Sequence, residues 1–464
     1  MTAHSNLYPT KALQDLDAAH HWHPFSDMKS LNQEGTRIIT SADGVWLTDS
    51  DGNRILDGMA GLWCVQVGHG RQEISDAVHK QMNELSYYNT FFKTSHPPAI
   101  ALSEKLARLA PDHINTVFYC SSGSEANDTV FRMVRTYWDK MGKPDKKVII
   151  GRWNGYHGST VAGTSLGGMK GMHEQGNLPV PGVHHIDQPY WFGEGYEMSP
   201  EDFGVHVARK LEQAIDEIGE DKVAAFIAEP IQGAGGVIIP PETYWPEVRR
   251  ILDERDILFV SDEVICGFGR LGDWFGSSHY GMKPDLMPIA KGLTSGYLPM
   301  GGVMVSDRVV EGLMLAGEEF YHGYTYSGHP ACAAAAIANL EIIEREGIVE
   351  RVKSDIGPYL QERWLKLANH ELVGEARMTG LVGALELVPD ARNPHKPFKN
   401  VGTVGTICRD ASFANGMVMR AVRDSMIISP PLVLTHEEAD ILIETAEKTL
   451  NDTWQILKKD GWLG

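Results

Sequence analysis

Three strand-like segments end in residues able to do covalent and proton-transfer chemistry. AAFIAE ends in Glu229, ILFVSD ends in Asp262, and LMPIA runs into Lys291. In an open parallel sheet, ligands bind at the carboxyl ends of strands. An amine set there after an apolar run is partly desolvated, which lowers its proton affinity and makes it a better nucleophile toward carbonyl carbon. One such acid is equally a helix cap, and one such lysine is equally a solvated charge. The serial spacing of all three is the informative part. Upstream, Ser121, Ser122, Gly123, Ser124 and Glu125 lie between an apolar run and a strongly periodic segment. Free backbone N–H groups and a helix dipole at such a junction make an anion site. Serine followed by acidic residues also caps a helix, so these five residues alone leave both readings open. They lack the GxxxxGK[ST] form of a nucleotide loop.

An anion cradle, a strand-end acid and a lysine along one sheet edge are the set that pyridoxal phosphate needs. The cradle takes the phosphate, the acid keeps the ring nitrogen protonated, and the amine meets the aldehyde. Tyr156, within NGYHG past another apolar run, offers a ring to stack on a flat cofactor. A competing pattern is GFGRLG at residues 267–272, which matches GxGxxG. The dinucleotide fingerprint requires its third glycine to enter a helix and an acid to follow about 20 residues later. Here DWFG follows without helical pattern, and the apolar run ends several residues earlier. A Rossmann-type NAD(P) oxidoreductase is therefore the weaker alternative.

The elements that must position these groups are legible as seven short apolar runs, at 117–120, 148–150, 183–186, 224–228, 257–260, 286–289 and 302–305. They alternate with longer periodic segments, which predicts an α/β fold with a mainly parallel seven-stranded sheet flanked by helices. Residues 125–141 form the clearest helix: Val130, Val134, Tyr137 and Met141 recur at helical spacing, and Gly142 and Pro144 stop it. GVWLTDSDGNRIL (44–56) reads as a hairpin turning at Asp51-Gly52. Helical patterns at 334–346 and 436–457, with a strand-like 382–387, make the chain ends α+β. The expected division is a large domain over 76–335 and a smaller domain built from 1–75 and 336–464.

The chain has 464 residues with 42 basic and 61 acidic side chains, a formal charge of −19. Its average surface repels phosphate backbones and anionic membranes, so neither nucleic acid nor membrane is an expected partner. No stretch approaches 18 uninterrupted apolar residues and no secretory-type segment opens the chain, which predicts a cytoplasmic protein. Five cysteines without a CxxC pair read as reduced core thiols. His20, His21 and His23 invite a metal reading, but Trp22 and Pro24 interrupt them and no acidic partner is evident at ligand spacing, so no metal is expected. The N-x-T sequons at Asn127 and Asn451 carry no meaning without a secretory signal.

SSGSEAND, WNGYHG, EPIQGAGG, SDEVICGFGR, AKGL and YTYSGHP occur in this order, flanked by DAAHHWHPF, LWCVQVGHG and GMVMRA. Over nearly the whole chain this resembles the class III pyridoxal-phosphate-dependent aminotransferases. Among these it most resembles the bacterial ω-transaminases that pass an amino group from an amine or ω-amino acid to pyruvate. The resemblance implies PLP fold type I and a ping-pong reaction in which the cofactor holds the amino group between two half-reactions. It implies that Lys291 carries the cofactor and moves the proton, that Asp262 pairs with the pyridinium nitrogen, and that Glu229 supports the ring end. Val264 and Tyr156 would pack on opposite ring faces. Ser122, Gly123 and Ser124 would hold the phosphate, with Thr325 contributed by the neighbouring subunit. Phe25, Trp63, Phe91 and Tyr156 would shape a two-part substrate pocket, and Arg420 would be the mobile residue meeting a substrate carboxylate. The family works as a homodimer or dimer of dimers with sites at the interface. Its aminomutases, and its aminotransferases that use other keto acids, are the alternative within the class.

Overall fold

The computed structural model describes residues 9–315 and 317–462. A three-stranded antiparallel sheet comes first: β1 (Ile39–Asp43), β2 (Trp46–Asp49) and β3 (Arg54–Leu56). Its β2–β3 hairpin is the one expected at 44–56, and β1 adds a strand that the sequence pattern did not mark. The central sheet contains β4 (Ile114–Cys120), β5 (Val148–Arg152), β6 (Val183–Ile186), β7 (Val223–Ala228), β8 (Leu258–Ser261), β9 (Leu286–Ile289) and β10 (Gly301–Ser306). These are the seven expected runs, in the spatial order β4-β10-β9-β8-β7-β5-β6. From β6 through β5, β7 and β8 to β9 the pairing is parallel, whereas β10 runs antiparallel to both β9 and β4.

Every residue of β7, β8, β9 and β10 is buried, because helices cover both sheet faces. The period of two sorts the side chains between those faces. Phe226 and Phe259 pack with Val207, Leu211 and Trp245 of the helices Pro200–Ile218 and Tyr244–Asp253. Ala225, Ile227 and Val260 face Val130, Val134 and Trp138 on the opposite side. The helix carrying that second stripe is Gly123–Lys140, close to the 125–141 expected, and the Trp138 indole N–H donates to the Ala224 carbonyl at 2.8 Å.

Beyond the large sheet, β11 (Val373–Thr379), β12 (Val382–Leu387), β13 (Arg420–Val422) and β14 (Ser425–Ile428) form an antiparallel sheet ordered β11-β12-β14-β13. The helix His436–Lys459 starts at a capping box made by Thr435 and Glu438. The two ends of the chain meet here: the Leu56 N–H donates to the Gly416 carbonyl at 2.8 Å, and the Val418 N–H donates to the Leu56 carbonyl at 2.9 Å. The smaller α+β domain is thus built from both ends.

Among the described residues no helix is long and apolar enough to cross a membrane. All five cysteines are free; four are buried and Cys64 is half-buried. At the histidine cluster the sequence reading missed a neighbour. Asp17 does lie at ligand spacing, 3.1 Å from His21 Nδ1 and 2.8 Å from His23 Nε2, because it precedes His21 by one turn at the end of the helix Thr10–His20.

Candidate active site

The carboxyl ends of β4, β5, β7, β8 and β9 open onto one cavity of about 420 Å³. Ser122, Gly123, Ser124, Tyr156, Glu229, Asp262, Val264 and Lys291 all line it. Eight of the expected site residues are therefore together, although they come from five strand ends.

Lys291 follows β9 after Ala290 and adopts φ of 44°, a left-handed conformation uncommon for a residue with a side chain. Such strain is held only where surrounding structure over-determines it. Burial pushes the Lys291 pKa below the ordinary lysine value, while the Asp262 charge opposes that shift. Asp262, 3% exposed, accepts from Asn127 Nδ2 at 2.9 Å and from the Val264 N–H at 3.1 Å, and His157 Nδ1 lies 2.7 Å from its Oδ2. The Asp262 carboxyl is thus surrounded by hydrogen-bond donors. Glu229 accepts the Tyr156 N–H and the Gly233 N–H, both at 3.0 Å, and burial raises its pKa.

At the serine-rich junction the helix cap is formed. Ser122 Oγ caps the helix by accepting the Glu125 N–H at 3.2 Å, and the Glu125 carboxylate takes the Ser121 N–H at 2.6 Å. The first-turn amides of Gly123 and Ser124 are left without intrahelical partners, beside the cavity, for an anion. Gly123 leaves room beside Val264: a Cβ there would come within 3.1 Å of both Val264 methyl groups, which would have to shift. A Cβ on Gly158 would meet Ser124 Oγ at 2.6 Å, so glycine there lets the NGYHG loop close over the cup. A cradle of amides and hydroxyls, an acid ringed by donors and a desolvated amine suit a flat, anionic aldehyde, so pyridoxal phosphate fits the donor set.

Trp63 and Arg420 reach the same region from the opposite chain ends. The Trp63 ring centroid lies 5.1 Å from Lys291 Nζ and 4.8 Å from Arg420 Cζ. Trp63 is 1% exposed and sits in a strained turn, with φ of 46° at Ala60, 65° at Gly61 and 58° at Trp63. Buried Asp57 fixes this turn by accepting the Gly61 N–H at 2.7 Å and the Met59 N–H at 3.2 Å, with His69 Nε2 3.0 Å away. Neither Trp63 nor Arg420 is part of the cavity lining itself, and three further expected residues lie away from it. Phe25 is 77% exposed, Thr325 is exposed with its carbonyl accepting from Tyr87 Oη at 2.7 Å, and Phe91 lies against Gly323 on the outer surface.

The GFGRLG segment is a packed loop that starts no helix. The nearest helix start, at Gly276, is already occupied from within: the Glu263 carboxyl accepts the Gly276 and Ser277 N–H groups at 2.7 and 2.6 Å. The dinucleotide reading has no phosphate site there. Sequence reasoning also missed His157 and Asn127. Both lie within motifs singled out for other reasons, NGYHG for its tyrosine and N-x-T as a sequon, and only the fold brings them to Asp262.

The family model for aminotransferase class-III matches residues 29–450. The putrescine–pyruvate aminotransferase of Pseudomonas aeruginosa is 61% identical over 96% of this chain and 97% of its own length. The diaminobutyrate–2-oxoglutarate transaminase of Halomonas elongata is 42% identical over 99% of each chain. Among solved structures, the ω-transaminase of Pseudomonas jessenii in complex with PMP superposes with a TM-score of 0.94 at 39% identity, over 96% of this chain and 99% of that one.

Proposed function

The chain belongs to the class III aminotransferases, which depend on pyridoxal phosphate, and on that premise we propose that it passes an amino group from a primary amine to pyruvate using Lys291. The observation that carries this reading is the meeting of Lys291, the Asp262–His157 pair and the Gly123–Ser124 amides in one cavity. When bound, the cofactor supplies an electron sink for the carbon that loses its proton. Lys291 Nζ would be the attachment point for the cofactor aldehyde and the base available to hold or move a proton at the reacting carbon. Asp262 would pair with the ring nitrogen, and His157 and Asn127 keep its carboxyl oriented. The Gly123 and Ser124 amides and the serine hydroxyls would hold the phosphate, and Glu229 ties down the loop that bears Tyr156. Arg420 meets the carboxylate of the keto acid.

The active unit in this reading is a homodimer. Its support is the exposed aromatic surface beside the cup, where Tyr87, Phe91, Phe92 and Tyr326 cluster around Gly323 and Thr325. Thr325 and Phe25, exposed on their own chain, then serve the neighbouring cavity. Sedimentation of the purified protein checks this, since a monomer that turns over normally contradicts it. We further infer a cytoplasmic enzyme, with domain boundaries near residues 75 and 335; the junction of Leu56 with Gly416 and Val418 supports the pairing of the two ends.

Borohydride reduction of the loaded protein followed by peptide mapping tests the central assignment. A pyridoxyl adduct on Lys291 is expected, and an adduct on any other lysine overturns it.

A further inference from the structure

Outside the cavity, the described residues hold one group of three metal-ligating side chains: Asp17, His21 and His23. Asp17 Oδ1 lies 3.1 Å from His21 Nδ1 and 3.0 Å from His23 Nε2, and its Oδ2 lies 2.8 Å from the same Nε2. With one donor atom taken from each residue, all three lie within 4.8 Å of one another. Bonds of about 2.0 to 2.1 Å at tetrahedral angles set donor atoms roughly 3.3 Å apart, so an ion fits after a slight parting of the rings.

The backbone builds this group with the same residues that interrupt the histidines in the sequence. The helix Thr10–His20 sets Asp17 one turn before His21, so its carboxylate reaches the helix end. His21 then leaves the helix with φ of −113° and ψ of 123°, an extended conformation. Alternate residues of an extended segment share a side. His21 and His23 therefore face Asp17 together, with ring centroids 4.2 Å apart, while Trp22 between them is 82% exposed. Pro24 disfavours the helical region for His23 and keeps the segment from winding on. The carboxyl end of a helix also favours a cation.

Asp17 and His23 are shielded, with side chains 16% and 22% exposed, whereas His21 is 62% exposed. The group thus has a closed side and a side open to water, as a three-ligand site with water in the fourth position requires. Two imidazoles and one carboxylate suit a first-row transition ion, whereas Mg²⁺ and Ca²⁺ call for oxygen donors throughout.

We propose that Asp17, His21 and His23 bind a zinc ion that fastens the segment carrying Phe25 to the end of the helix Thr10–His20. Without the ion, hydrogen bonds alone tie the two histidines to Asp17; the ion displaces the shared protons to solvent and puts a coordinate bond in place of each. Phe25 follows His23 by two residues. His23 borders a cleft of about 870 Å³ that also reaches Asp57 and Gly61 of the turn beneath Trp63. Zinc occupancy thereby sets the course of an aromatic segment at the edge of that cleft.

Zinc titration of the untagged holoenzyme by calorimetry should show one site per chain, and cobalt in its place should give the visible bands of a four-coordinate centre. Asp17→Asn, His21→Ala and His23→Ala should each weaken zinc binding by at least about 10- to 100-fold, since losing even an outer-shell partner of a metal ligand costs that much. Asp17→Asn is the decisive variant, because it keeps hydrogen-bonding capacity and loses only the anionic ligand. Hydrogen exchange across residues 21–27 should slow when zinc is added to the unaltered protein. It should not respond to zinc in His21→Ala, whose exposed side chain is not needed for folding. Unaltered zinc affinity in the three variants, or no zinc binding by the unaltered holoenzyme, overturns the inference. Zinc binding without slower exchange at 21–27 also overturns it, because the ion then fastens nothing. All of these outcomes leave the aminotransferase reading untouched.

Discussion

His157 Nδ1 lies 2.7 Å from Asp262 Oδ2 with both side chains almost wholly buried, and Asn127 donates to the same oxygen. An imidazole that donates here uses the carboxyl oxygen as an acceptor and fixes its orientation, as the proposed pairing with a cofactor ring nitrogen would require. The ring end of the site thus depends on a relay of three residues from three different elements.

Asp262→Asn removes the charge and leaves the shape. Both half-reactions, followed separately by stopped flow, should slow on the order of 10²- to 10⁴-fold, the usual worth of a positioned proton-transfer group. Thermal unfolding of the apoprotein should shift far less. Near-normal rates would remove Asp262 from the ring nitrogen.

His157→Phe should slow the same steps roughly 10- to 100-fold, because it leaves a buried carboxylate short of a donor. His157→Gln, which can still donate, should recover most of that loss. Equal losses in the two variants would mean that ring shape, and not the hydrogen bond, is what matters.

Lys291→Ala should hold the cofactor through the Gly123–Ser124 cup and Asp262 yet lose turnover by at least about 10⁴-fold, since nucleophile and base disappear together. Absorbance of the bound cofactor reports retention, and a coupled alanine assay reports turnover. Normal turnover would exclude the assigned role.

Arg420→Ala should cost about 1.5 to 3 kcal/mol toward pyruvate, roughly 10- to 150-fold in kcat/KM, through loss of a charge-assisted contact. The half-reaction with an apolar arylalkyl amine should change only a few-fold. Equal losses in both directions would point to a structural role over Trp63.

Glu263 supplies a stability prediction. Burial raises its pKa from 4.5 to about 7 in the folded protein, so between these values the unfolded chain has released the proton while the folded chain still holds it. Stability therefore falls as pH rises through that window, by on the order of 1–3 kcal/mol in total. Glu263→Gln should flatten that part of the curve, whichever way the absolute stability moves. Urea unfolding of the apoprotein at pH 5 and pH 8 measures it, and an unaltered slope in the variant would show that Glu263 is not the titrating group.

What the sequence made legible was whatever local pattern encodes. The seven runs alternate with helical periodicity because both sheet faces are covered, so all seven strands could be marked, and Glu229, Asp262 and Lys291 could be placed on one edge. The direction of β10 left no such mark, since an antiparallel strand buried on both faces reads like a parallel one. The partners of Asp262 were equally hidden. Asn127 lies 135 positions from Asp262 and His157 lies 105 positions from it, and nothing in NGYHG says which of its side chains turns inward. The turn at 60–63 was invisible for another reason: three residues with positive φ, two of them with side chains, run against local preference and are held by Asp57 from outside the turn. Asp17 escaped notice beside His21 and His23 although it stands only one helical turn before His21.

The union of β3 with the segment ahead of β13 has a consequence during synthesis. A ribosome that has released the first sixty residues has made a short hairpin sheet whose lasting partner, residues 416–418, is still to be translated. Until then β3 presents unpaired backbone to the nascent chain, and long-range pairing of this kind is slow and prone to misassembly. The Lys291 strand and the serine-rich cup emerge earlier and can come together first, but Trp63 and Arg420 cannot meet until the C-terminal residues arrive. A truncated product lacking the last fifty residues is therefore expected to carry the cup without the substrate wall.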